Sequence, residues 1–111
     1  MPSDSHLRES LKTLAKLLID SGDKGLAAMV NAAASGTDEE LNVFLTSNEL
    51  WGGAGSVADQ AGMNDGLRTN VRRSIERAMI ELGEEQIRLA QANVRTASWV
   101  AAFKKWAKDG I

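Results

Sequence analysis

The residues best placed to do chemistry in this chain of 111 residues are Leu50-Trp51-Gly52-Gly53-Ala54-Gly55-Ser56-Val57-Ala58-Asp59. Consecutive backbone amides in a glycine-rich turn, followed by a helix N-terminus, are chemistry suited to holding an anion. Trp51, Gly52, Gly53, Gly55, Ser56 and Asp59 are the candidate binding residues, with Trp51 as a lid. The stretch fails as a P-loop, because no Gly-Lys-Ser/Thr ends it and no strand precedes it. The structural alternative is that Ser56 caps a short helix, Asp59 reciprocates at the third helical position, and the glycines let the chain turn beneath Trp51.

Elsewhere the chemistry is mostly excluded. His6 is the single histidine and there is no cysteine, which removes multi-histidine metal sites, thiol nucleophiles, disulfides and haem attachment together. Asp20-Ser21-Gly22-Asp23-Lys24-Gly25 begins like a calcium loop, but Gly22 and Lys24 stand at the third and fifth ligand positions. It reads as a turn between helices. The adjacent acids Glu39-Glu40 and Glu84-Glu85 project about 100° apart on a helix, so neither pair makes an acid-base dyad. No catalytic residue, metal or cofactor is implied, and an enzyme is not expected.

Trp99, Phe103 and Trp106 recur at i, i+4 and i+7 with Lys104, Lys105 and Lys108 beside them, a stripe that fits either the core or an interface with another chain. Arg68, Arg72, Arg73 and Arg77 are interrupted by acids, and nucleic-acid contact is not expected. No apolar run approaches the roughly 20 residues of a membrane span, and Met1 to Ser10 has no signal-peptide core. Together with the absent cysteines this suggests a cytoplasmic protein.

Residues 51–59, preceded by short amphipathic helices, resemble a small group of uncharacterised bacterial helical domains whose signature is apolar-aromatic-Gly-Gly-Met-Gly-Ser-apolar-x-Asp. Trp51, Gly52, Gly53, Gly55, Ser56 and Asp59 match. Ala54 replaces the methionine, and Ala58 occupies a position often polar. The resemblance covers about residues 7–65 and implies a helical fold without implying an activity. Some small helical bacterial domains of this kind look like immunity or accessory proteins.

The elements that must position these residues are helices. Alanine and leucine supply 28 apolar residues, whereas valine, isoleucine and threonine total 16 and tyrosine is absent, an all-α vocabulary. One domain over residues 1–111 is expected. Leu7, Leu11, Leu14, Ala15 and Leu18 stripe a first helix that Ser3, Asp4 or Ser5 can cap and Gly22 should close. A second runs from about Asp23 to Ala34, with Leu26, Met29, Val30 and Ala33 inward. A third starts at a Thr37–Glu40 capping box, turns Leu41, Phe44 and Leu45 inward and ends near Asn48.

After the glycine-rich turn, Val71, Ile75, Ala78, Met79 and Leu82 begin a long helix, with Gly83 tolerated at a cost of about 1 kcal/mol. An unbroken helix to Trp106 would reach roughly 60 Å. The chain must therefore break, near Asn93 to Ser98, or overhang and pack on a second copy.

The overall charge of -2 conceals an asymmetry. Residues 1–65 hold four bases against ten acids, net -6, and residues 66–111 hold nine bases against five acids, net +4. These halves are expected to attract, within or between chains, while Arg72–Glu76, Arg77–Glu81 and Glu84–Arg88 pair along a solvated helix face. Because the apolar residues are one-third alanine, a second chain is expected to complete the core. The resulting expectation is a protein-binding module, an immunity or accessory factor with a protein partner of its own, forming a homodimer or other homo-oligomer through its C-terminal helices. An anion or small-molecule binder using residues 52–56 is the alternative.

Overall fold

The computed structural model describes residues 2–52, 56–60 and 69–109, with backbone alone described at 2–4, 59–60 and 69–70, and its regular elements are all helices. The five leucine and alanine positions of the first stripe are buried along one face of α1, Pro2–Asp20. This helix starts at Pro2, ahead of the expected caps Ser3, Asp4 and Ser5. Proline suits a first helical position because its missing N–H is one the helix cannot satisfy. α1 closes as the glycine predicts: Gly22 takes φ 88°, its N–H donates to Ile19 O, and the Asp23 N–H donates to Leu18 O at 2.8 Å. The paired bonds satisfy carbonyls that the helix end leaves over.

α2, Lys24–Ser35, lays Ala27, Val30, Ala33 and Ala34 against α1, the small side chains allowing close approach. Arg8 fixes the corner that follows, donating from α1 to Ala34 O at 2.9 Å, Gly36 O at 2.7 Å and Asp38 Oδ1 at 2.9 Å. A guanidinium fork suits this task because it caps orphan carbonyls and pairs with a carboxylate at once. α3, Asp38–Leu45, has the predicted capping box: Glu40 N–H donates to Thr37 Oγ1, and Thr37 N–H donates to Glu40 Oε1.

The chain departs from expectation next. α3 stops at Leu45, not near Asn48, and a single turn α4, Asn48–Trp51, occupies part of what reads as the least helical stretch. Thr46 Oγ1 donates to Asn42 O and Ser47 Oγ to Phe44 O, so at the break two hydroxyls add to the backbone amides of the same residues on those carbonyls. Another single turn, α5, covers Val57–Gln60.

The long C-terminal helix does break. α6, Thr69–Arg88, is followed by α7, Thr96–Asp109, so the interruption begins before the Asn93–Ser98 window. Leu89, Ala90 and Val94, which continue the apolar period in sequence, lie in the connection, where Val94 is 97% exposed. Ala90 takes the left-handed position at φ 57°, with Gln91 N–H on Gln86 O at 2.8 Å. α7 then starts from a second box: Asn93 Oδ1 accepts from Arg95 N–H, and Thr96 Oγ1 accepts from Asn93 N–H. The fold's longest dimension is 36 Å, so a roughly 60 Å helix would have overshot it.

α6 returns against α1 and α7 against α6. One hydrophobic cluster draws on all four longer helices, from Leu11 and Val30 to Met79 and Phe103. Helices of the same chain pack around this core.

Candidate functional site

Trp51 lies in the core rather than over an open site. It is fully buried, and its indole N–H donates to Gln86 Oε1 at 2.8 Å. Gly52 is also committed internally: its N–H donates to Asn48 O at 2.9 Å, and its carbonyl accepts from Ser56 Oγ and Trp99 Nε1, both at 3.1 Å. A Cβ there would stand 2.2 Å from Asn48 O, so the position admits no side chain without a shift. Ser56 is buried, and Asp59 lies in α5 with its side chain outside the described residues, as are Gly53 and Gly55 altogether. The two ends of the turn therefore act as a brace between α4 and α7.

The aromatic stripe faces the same way. Phe103 is buried, and Trp99 and Trp106 are half-buried against the core. Their rings meet at centroid distances of 6.0, 6.4 and 5.3 Å, two of the three contacts edge-on, an arrangement the ring quadrupoles favour.

Two buried polar residues are central: Gln86, which the sequence reading leaves out, and Glu76, which it places on a solvated face. Gln86 is fully buried, and its amide donates to Leu45 O at 2.7 Å and Gln91 O at 2.9 Å while its oxygen receives Trp51. It joins α3, α4 and the α6–α7 connection. The available signal was its spacing, since Gln86 stands one step beyond Ile75, Met79 and Leu82 on their stripe. Glu76 is buried as well, with Oε1 unpartnered, and burial raises its pKa despite Arg73 and Arg72. It is not the solvated partner of Arg72 that the i,i+4 spacing suggests.

Other expected pairs are also redistributed. Glu84 meets Lys104 of α7, and Arg88 turns to Glu85. Among the described residues no Lys or Arg pairs with an acid across the acidic and basic halves, and the contact of this kind that crosses is His6 Nδ1 with Glu85 Oε1 at 3.1 Å. The Arg88 hydrogen bond and then that of His6 hold the Glu85 carboxyl below its ordinary range. The halves are joined chiefly by apolar packing of α1 on α6 rather than by charge.

The open features lie on the surface. Between α2 and the α3–α4 corner runs a groove of about 630 Å³, floored by Met29, Ala33, Val43 and Phe44 and edged by Glu39, Glu40 and Glu49. Its Val43 is 65% exposed. A smaller groove of about 360 Å³ between α6 and α7 is lined by Ile87, Ala97, Val100 and Ala101, with Arg88 and the Glu84–Lys104 pair among its lining. Such surfaces can bind apolar side chains and choose among them by charge. Among the described residues no group of three or more acidic or histidine side chains is set to hold a metal, and no helix is long and apolar enough to cross a membrane.

Fold and surface thus define an all-helical protein whose described residues pack around one apolar cluster and line apolar grooves at α2 with α3–α4 and at α6 with α7. Neither a family model nor a curated protein nor a solved structure matches the chain.

Proposed function

We propose that this protein is a cytoplasmic bacterial protein-binding module, acting as an immunity or accessory factor rather than an enzyme, and that it self-associates through its C-terminal helices. The observation that carries the reading is the uncovered apolar surface of α6 and α7. Ile87, on α6, is left exposed and lines a groove with Ala97, Val100 and Ala101, and Val94 is exposed in the connection between the two helices. With its aromatic stripe turned inward, α7 offers a contact face of small apolar residues and lysines. The resemblance at residues 51–59 to bacterial helical domains points the same way by analogy alone.

Sedimentation velocity tests the reading. A mass above that of one chain, growing with concentration up to roughly 100 µM and reduced by Ala101→Glu, is expected. A strict monomer over that range refutes self-association. The anion-binding alternative gains no support from the described part of the turn, where the Gly52 N–H and carbonyl are already engaged.

A further inference from the structure

We propose that the surface receiving α7 of a second copy is the groove between α2 and the α3–α4 corner, so that like chains join acidic groove to basic helix. The proposal rests on the self-association reading above and gives it a partner surface. Three observations converge on it.

The first is charge left unused within the chain. Glu39 and Glu49 at the groove, and Lys105 and Lys108 on α7, are exposed and have no ion-pair partner among the described residues. Of the neighbouring charges, Glu40 is committed to the Thr37 cap, Asp38 to Arg8 and Lys104 to Glu84, while exposed Asp109 ends α7 beside the two lysines and leaves that end net basic. The net -6 and +4 of the two halves are therefore not neutralised by pairing across the molecule. These four residues share their unpaired state with others such as Lys12, Lys16, Glu81 and Arg95, and what sets them apart is that the acids edge an apolar groove and the lysines share one side of a helix.

The second is shape. Lys105 and Lys108 are three residues apart and project from one side of α7, with Ala101 one turn before Lys105 on the same side. Small side chains let the α7 backbone approach a groove floor closely, while flexible lysines reach outward to its edge. The third is the floor itself. Val43 and Phe44 line an apolar surface that the chain's own helices leave open, and every ionisable residue at its edge is an acid. An acidic ligand would meet repulsion there, whereas a basic helix face is attracted.

Groove and helix are different patches. The contact closes into a two-fold pair if both copies exchange helices, and otherwise extends head to tail. Either form depends on salt, since the charges concerned are exposed.

Charge reversal tests this in the full chain. One variant carries Glu39→Lys with Glu49→Lys, the other Lys105→Glu with Lys108→Glu. All four positions are exposed, and far-UV circular dichroism checks that the helices persist. Each variant alone should lose association by about tenfold or more, because both of its surfaces then carry the same sign. Mixing them one to one should restore it, as should joining all four substitutions in one chain. Persistent association in both separate variants would overturn the assigned surface while leaving self-association standing. Loss without recovery on mixing would overturn the complementary contact. A wild-type monomer at all concentrations would overturn this proposal and the reading beneath it.

Discussion

Gln86 and Glu76 occupy the buried side of one helix, with opposite consequences. Gln86 makes three hydrogen bonds in a space closed to water, so replacing it by leucine preserves volume but orphans Trp51 Nε1, Leu45 O and Gln91 O. A buried polar group left unpaired costs about 1–3 kcal/mol. We expect Gln86→Leu to destabilise the fold by about 3 kcal/mol or more, measured by urea unfolding. A loss below about 0.5 kcal/mol would mean the network contributes little.

Glu76 gains nothing comparable from its site. Its pKa is raised above the ordinary 4.5, chiefly by burial, so the folded state holds its proton more tightly than the unfolded state does. Its effect on stability is therefore neutral below the unfolded pKa and becomes unfavourable as pH rises through the folded one. Glu76→Gln should be more stable than wild type at pH 7, with the difference shrinking towards pH 4, as followed by thermal unfolding. Glu40 and Glu85 act with the opposite sign: the Thr37 backbone hydrogen bond and the Arg88 side chain lower their pKa values, and that stability is lost as pH falls through the folded values. Comparing variant with wild type at each pH cancels those contributions.

At the scale of elements, the pairing of α6 with α7 depends on a residue without a side chain. Helix propensity favours alanine over glycine by about 1 kcal/mol, which predicts that Gly83→Ala stabilises α6. The tertiary contact reverses this prediction. A Cβ on Gly83 would stand 2.3 Å from Val100 Cγ2 and 3.2 Å from Trp51 Cη2, both side chains packed into the core. Overpacking costs about 1–3 kcal/mol, so Gly83→Ala should destabilise by about 1 kcal/mol net. Val100→Ala in the same chain should recover part of the loss, and additive effects in the double-mutant cycle would sink the close-contact account. The same corner shows what periodicity alone misses: Leu89 and Val94 keep helical spacing, yet the chain leaves the helix at Ala90 and restarts from the Asn93–Thr96 box. Competing caps decide the boundary there, whereas at Gly22 and at Thr37–Glu40 a single strong signal does.

Over the whole molecule, the N-terminal stripe is completed by α6, not by its own half. α1 packs on α2 along one side and on α6 along another, and Trp51 needs Gln86. A fragment of residues 1–60 should therefore lack a cooperative unfolding transition in circular dichroism. A sharp transition would show that the acidic half folds alone. Charge contributes less to joining the halves than composition suggests, because His6–Glu85 is the crossing pair and exposed pairs are worth at most about 1 kcal/mol.

The sequence by itself determined the helical class, the apolar stripes of α1, α3 and α6, the Gly22 stop and the Thr37–Glu40 start, since each depends on neighbours within one or two turns. Legibility of the candidate site was lower. Trp51 and Gly52 were singled out, but as a lid and an anion loop, when the indole and the glycine carbonyl bind Gln86 and Trp99, partners 35 and 47 residues away. Only the tertiary structure decided that the aromatic stripe faces inward, that Gly83 is held by Val100 and Trp51, and that charge of opposite sign remains on two separate faces. Those outcomes depend on which helix lies against which, and local spacing carries no information about a partner brought close by folding.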